Sequence, residues 1–198
     1  MKGIIVFEGL DCSGKTTAIR NLMEDLNSNQ IVYNKGIGSA TRIGKIARKL
    51  PSTFMFALEI LLNQIIRIKH LKENKIILQD RYDISISSFV PLSKRFYNQG
   101  IIFLMKLFLI KPLAIIYFHL PLEERIRRLK EKNTEYELIL AKNPSKIIER
   151  EKEYEKWFQE FKGMKLKIDT HKNSILEVNL ILKEFCRKLF KDCSSMNL

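Results

Sequence analysis

Two short stretches of this chain carry residue types spaced for handling phosphate. The first, GLDCSGKTT at 9–17, places Gly9 and Gly14 either side of a four-residue loop and follows them with Lys15 and Thr16. The glycines permit conformations and close approaches that a Cβ obstructs, so successive backbone N–H groups turn inward on an anion. Lys15 suits the β- and γ-oxygens of a nucleoside triphosphate, and the Thr16 hydroxyl suits Mg²⁺. The second stretch, QDRY at 79–82, sets an acid and an arginine after an apolar run. Asp80 is placed to hold Mg²⁺ through water, and the Arg81 fork matches phosphoryl oxygens bidentately. Asp11 is the odd member, a carboxylate inside a loop built to collect anions.

These side chains need a strand behind each of them and a helix beyond the loop. Apolar runs at Ile4–Phe7, Ile31–Tyr33, Lys75–Leu78, Leu113–Phe118 and Lys165–Ile168 predict five strands. Between the first two, Ala18, Ile19, Leu22, Met23 and Leu26 recur at helical spacing. Strand and helix in alternation imply a parallel sheet with helices on both faces. The fifth strand is short and charged, which suits a sheet edge. Ser174 and Glu177 form a capping-box signature, followed by Val178, Ile181 and Phe185 along one helix face. The polar region 131–153 reads as a flap or helix pair over the site. The apolar segment 101–110, interrupted by Lys106, is too short to span a bilayer and reads as a buried helix.

The chain has 198 residues, of which 45% are hydrophobic and 29% charged. That balance suits one globular domain, and no linker or repeat divides it. Its 35 Lys and Arg exceed its 22 Asp and Glu, for a net charge of +13, which favours anionic company. No stretch interleaves aromatic and basic residues as nucleic-acid binders do, so nucleic acid is not the expected partner. The three cysteines, Cys12, Cys186 and Cys193, have neither metal-ligand nor disulfide spacing. Free thiols, the absence of a signal-peptide shape and the absence of a membrane span lead to the expectation of a cytoplasmic protein.

The stretches FEGLDCSGKTT (7–17), TRIGKIAR (41–48) and DRYDIS (80–85), with the basic run RIRRLKEK (125–132), resemble the thymidylate kinase family of nucleoside monophosphate kinases. The resemblance implies a three-layer P-loop NTPase fold: a five-stranded parallel sheet flanked by helices, as a single domain over 1–198 with a helical lid at about 125–150. It implies transfer of the γ-phosphate of ATP to a (deoxy)nucleoside monophosphate, dTMP foremost, with Mg²⁺. The ATP site would comprise Gly9, Asp11, Cys12, Ser13, Gly14, Lys15, Thr16 and Thr17. Thr16 and Asp80 would serve the metal, and Lys15, Arg81 and Arg128 the transfer itself. Arg81 and Arg48 would clamp the acceptor phosphate, and Asp11 would contact the acceptor's 3′-hydroxyl. Ser85, in the DRYDIS segment, and Glu59 would belong to the acceptor site with them. Phe89 would lie under the sugar, excluding a 2′-hydroxyl. Family members pair as homodimers through helices beside the second and third strands.

The chain also departs from the family pattern. GIGSAT (36–41) stands where the family has an EPGGT-like segment. Glu59 takes the place of the base-reading arginine, Met55 that of a stacking aromatic, and Ile86 that of a polar base contact. A shift of register would bring Phe54, Phe56 or Arg67 into play instead. Cys12 is small where some members carry a cation, which leaves the charge to the lid. A small residue that fits the loop is the plainer reading, although a thiol beside a helix N-terminus is also open to a lowered pKa. Three other readings stay open. One is a deoxynucleoside kinase with Glu8 as general base; another is a nucleic-acid-stimulated ATPase. The third is a nucleotide-binding P-loop protein with altered acceptor specificity.

Overall fold

The computed structural model describes residues 2–26, 29–35, 53–82, 84, 85, 103, 107 and 109–195, without the side chains of 53–61 and 192–195. Five strands form one parallel sheet: β1 (Gly3–Glu8), β2 (Ile31–Asn34), β3 (Ile76–Asp80), β4 (Ala114–His119) and β5 (Met164–Asp169). The order across the sheet is β2-β3-β1-β4-β5. The chain leaves β1 toward β2 on one side and leaves β3 toward β4 on the other. That reversal opens a crevice beyond the carboxyl ends of neighbours β1 and β3, where open α/β sheets bind ligands. The register pairs Phe7 with Asp80, which sets both phosphate-handling stretches side by side.

Alternation along the strands divides the core into two layers. Ile5 and Phe7 of β1, with Ile116 and Phe118 of β4, face α1 (Lys15–Leu26) and the last helix. Ile4, Val6, Ile115 and Tyr117 face the opposite way. All eight are 0% exposed, and burying each such side chain contributes roughly 1.5–3 kcal/mol. On that second face lie α2 (Thr53–Lys72), α3 (Leu122–Lys132), α4 (Glu135–Ala141) and α5 (Pro144–Glu160). The polar region 131–153 is therefore a packed helix pair, held by Leu140, Ala141 and Ile147. Its boundaries have local causes: Asn133 ends α3 in the left-handed region, Thr134 caps α4, and Pro144 opens α5.

The last helix, α6 (Ile175–Ser195), carries the expected capping box. The Ser174 N–H donates to Glu177 Oε2 at 2.7 Å, and the Glu177 N–H to Ser174 Oγ at 3.3 Å. Charged β5 does lie at an edge. Lys165 turns its Nζ onto the carbonyls of Phe158, Gln159 and Phe161, satisfying the C-terminal end of α5. One expectation fails. Phe103 and Leu107 of the apolar segment 101–110 are helical but more than 60% exposed, because residues four apart share a face and this face meets solvent. Among the described residues no helix is long and apolar enough to cross a membrane.

Candidate functional site

The loop between β1 and α1 closes tightly over its own lysine. Gly9 has φ +145°, and a Cβ there would stand 2.5 Å from the Phe118 carbonyl oxygen of β4. Only glycine fits. Lys15 is 5% exposed and folds back, its Nζ donating to Gly9 O (2.5 Å), Leu10 O (3.0 Å) and Ser13 Oγ (3.2 Å). Burial, and next the Arg81 cation, pull Lys15 below its ordinary value, while Asp80, Asp11 and Glu8 oppose them. The first turn of α1 holds no acidic side chain, so its unsatisfied N–H groups and positive end suit an external anion.

The facing wall comes from the end of β3. Asp80 is nearly buried; its Oδ2 accepts from Tyr33 OH at 3.2 Å, while Oδ1 has no hydrogen-bond partner. Arg81 follows with φ +63°, in a region unfavourable to a residue bearing a side chain. Its Nη2 pairs with Asp11 Oδ1, and its Nη1 reaches Ser85 Oγ at 3.4 Å. Burial alone would raise the Asp11 carboxyl, but Arg81, then Lys15, Lys132 and Arg150, hold it below its usual range. Burial would equally lower Arg81, and the carboxylate of Asp11 first among its neighbours keeps it charged.

A third wall is α3. Arg125, Arg128 and Lys132 fall on one helical face, whereas Arg127 points outward to Glu124 and Glu131. Arg125 is 1% exposed and braces the loop from behind, donating to Asp11 O (3.0 Å) and Leu120 O (2.9 Å) and pairing with Glu151 at 3.3 Å. Arg128 pairs with Glu124 at 2.7 Å and donates to the carbonyls of Cys12 (3.4 Å) and Thr170 (3.2 Å). Lys132 pairs with Glu137 at 3.0 Å. Between the walls lies a cleft of about 500 Å³ lined by the loop from Asp11 to Thr17, Asp80, Arg81, Arg128, Glu131 and Lys132.

Most residues expected from sequence therefore meet in one place. Asp11, Cys12, Ser13, Gly14, Lys15, Thr16, Thr17, Asp80, Arg81 and Arg128 all line this cleft, with Gly9 beneath it. Ser85 lies behind Arg81, almost wholly buried. Two readings left open by the sequence are decided. Glu8 is 0% exposed, with its oxygens taken by the Tyr82 N–H and by Ser85 Oγ at 2.7 Å, so it cannot serve as a base in the cleft. Burial raises its pKa above the usual carboxylate range. Burial also raises the Cys12 thiol and outweighs the nearby Lys132 cation, the reverse of a lowered pKa. Arg48, Phe89 and Ile86 lie outside the described residues, as do the side chains of Met55 and Glu59 on α2. Arg125 and Tyr33 were not expected at the site. The i, i+3 relation of Arg125 to Arg128 was the available signal for the first.

The donor set fits a triphosphate and a hard cation. The unpartnered Asp80 Oδ1 and the exposed Thr16 hydroxyl are the oxygen ligands Mg²⁺ takes. Lys15, Arg81, Arg128 and Lys132 supply positive charge around the same cleft.

Known proteins resemble this chain in sequence and in fold. A thymidylate kinase of Pelotomaculum thermopropionicum is 35% identical over 117 residues, which is 51% of this chain and 51% of that protein. The match thus spans about half the length of that curated relative. The crystal structure of thymidylate kinase from Ehrlichia chaffeensis superposes with a TM-score of 0.70 at 17% identity, covering 94% of this chain and 98% of that one. The structure of thymidylate kinase from Candida albicans gives 0.67 at 19% identity, covering 94% and 92%. At such identities these two establish the fold alone. The thymidylate kinase family model matches residues 7–180, nearly the whole sheet with its phosphate loop and strand-end arginine, and the chain belongs to that family.

Proposed function

We propose that this chain transfers the γ-phosphate of ATP to a deoxynucleoside monophosphate, dTMP foremost, forming ADP and the diphosphate. The observation that carries this reading is the Arg81–Asp11 pair beside the Lys15 cradle. A donor site needs the cradle alone. A guanidinium and a carboxylate set next to it supply a phosphate contact and a sugar contact for a second nucleotide.

Gly9 to Thr17 hold the donor phosphates through backbone N–H groups, with Lys15 giving up its carbonyl partners to them. Arg81 takes the acceptor phosphate, and Asp11, released from the guanidinium, takes the 3′-hydroxyl. Little covalent work falls to these residues. They align two anions in line and neutralise the charge between them. Arg128 and Lys132 bring further positive charge from α3. Thr16 and Asp80 would hold Mg²⁺, which supplies charge neutralisation between donor oxygens. Residues 125–150, from α3 into the first turns of α5, act as the lid that excludes water from the transfer. Arg48, Glu59, Ser85 and Phe89 are further residues of the proposed acceptor site, in a single kinase domain spanning 1–198.

The buried, engaged Glu8 weighs against a nucleoside acceptor, which needs a base near its 5′-hydroxyl. Three isoleucines of α2, Ile65, Ile66 and Ile68, are exposed and suit a homodimer through that helix. The protein is read as cytoplasmic, with small-molecule nucleotides rather than nucleic acid as partners. Turnover with a panel of nucleosides and monophosphates tests the proposal. Transfer to dTMP supports it; phosphorylation of thymidine without dTMP overturns it.

A further inference from the structure

Gln79 is wholly buried in β3, one residue before the acid–arginine pair. Its side chain uses both ends. Oε1 accepts from Asn34 Nδ2 and from Arg67 Nε, each at 2.8 Å. Nε2 donates to the carbonyl oxygens of Asp80 and Arg81, each at 3.0 Å, and reaches Asn34 O at 3.5 Å. This orientation cannot invert. Arg67 Nε only donates, so the carboxamide oxygen must face it and the nitrogen must face the carbonyls.

Arg67 is an expensive way to fix an amide. It is 2% exposed, with its guanidinium 4.8 Å above the Tyr82 ring, and burial pulls its pKa down to about 10. A buried cation is retained against its desolvation cost. Its hydrogen bond ends on the side chain that grips the Arg81 turn. That turn needs gripping, since Arg81 has φ +63°. On its other side the Arg81 N–H donates to Phe7 O at 3.0 Å and the Tyr82 N–H to Glu8. β1 and Gln79 therefore pin the same peptide units from opposite directions.

We propose that Gln79, oriented by Arg67, is a positioning residue that holds the Asp80–Arg81 turn so that the Arg81 guanidinium faces the acceptor phosphate. The role of Arg81 in this proposal rests on the function proposed above. Sequence gives no hint of this role: Gln79 is only the first residue of QDRY there, and Arg67 enters only as an alternative contact to the base.

The test compares Gln79→Glu with wild type. Glutamate keeps volume and both bonds to Asn34 and Arg67, but replaces the Nε2 donor with an oxygen facing two carbonyls. The expected result is a rise of about tenfold or more in KM for dTMP, with KM for ATP within about twofold. Amide hydrogen exchange should quicken at Arg81 and Tyr82 but not at Ile4–Val6. Arg67→Met should move both readouts in the same direction, and Arg67→Lys, which keeps a donor, should recover most of the loss. If Gln79→Glu does not fold, the two Arg67 variants carry the same test. Unchanged acceptor KM overturns the proposal, as does a parallel loss in both substrates together with the urea midpoint. If wild type transfers nothing to monophosphates, the proposed function fails instead, and exchange at Arg81 and Tyr82 alone decides the positioning.

Discussion

Replacing Asp11 with asparagine should separate what its charge does for the free protein from what it does beside an acceptor. The pair is largely buried on both sides, with Arg81 18% and Asp11 20% exposed. Removing one partner of a buried ion pair costs about 3–5 kcal/mol, because the other charge is left uncompensated. Asparagine keeps an oxygen to accept from Arg81, and Glu8 and Asp80 remain near the guanidinium. The expected loss is therefore about 2 kcal/mol. For a chain of this size that lowers Tm by about 4–8 °C. A phosphate held by Arg81 supplies the missing negative charge, so the gap between variant and wild type should shrink by about 1 kcal/mol or more when dTMP is saturating. Phosphate seated at Lys15 alone would stabilise both proteins equally. Urea unfolding of both proteins, with and without dTMP, reads the difference. A gap that stays the same size refutes the idea that Arg81 exchanges Asp11 for an acceptor phosphate.

Other consequences are equally open to measurement. Gly9→Ala should cost about 3 kcal/mol in urea unfolding, since its Cβ meets Phe118 O, whereas Gly14→Ala, with open space and only φ +81° to strain it, should cost about 1 kcal/mol; equal losses would contradict the contact. Asp80→Asn should raise the Mg²⁺ concentration for half-maximal turnover about tenfold, and an unchanged Mg²⁺ titration would remove Asp80 from the metal's surroundings. The pH dependence of stability should show two opposed limbs. Asp11, held below its ordinary 3.8, contributes stability that is present above that value and lost as pH falls through its folded value. Glu8, raised above its ordinary 4.5, contributes stability that is present below 4.5 and lost as pH rises through its folded value. Asp11→Asn should flatten the acid limb and Glu8→Gln the other; a limb that survives its own variant counts against the assignment.

The parts of the site written as contiguous strand–loop–helix were legible in sequence. Gly9, Lys15 and Thr16 declare their chemistry by spacing, and Asp80–Arg81 by following an apolar strand. Side chains whose role depends on which way a helix faces were not. Arg125, Arg127 and Arg128 look alike in sequence, yet Arg125 braces the loop, Arg127 is solvated and Arg128 lines the cleft. Burial decides two readings that the sequence left open. It favours the plainer reading of Cys12 as a small residue that fits, and it removes Glu8 from the cleft although it lies one residue before the phosphate loop. Phe103 and Leu107 show the opposite error, apolar residues expected in the core that meet solvent, although Leu109 and Ile110 of the same run pack against it. Arg67 was legible only as an alternative base contact and Gln79 not at all; the bond between strand and helix gives the two a different, joint part.

The most direct measurement is ATP-dependent formation of dTDP by the wild-type chain and by Arg81→Ala, with KM for ATP and for dTMP determined for each. Efficient transfer to dTMP by wild type, and a variant whose KM for dTMP rises steeply while that for ATP stays within about twofold, is the expected result. A variant that retains wild-type KM for dTMP, or a wild-type chain that hydrolyses ATP without transferring phosphate, would contradict the two-nucleotide reading of the cleft.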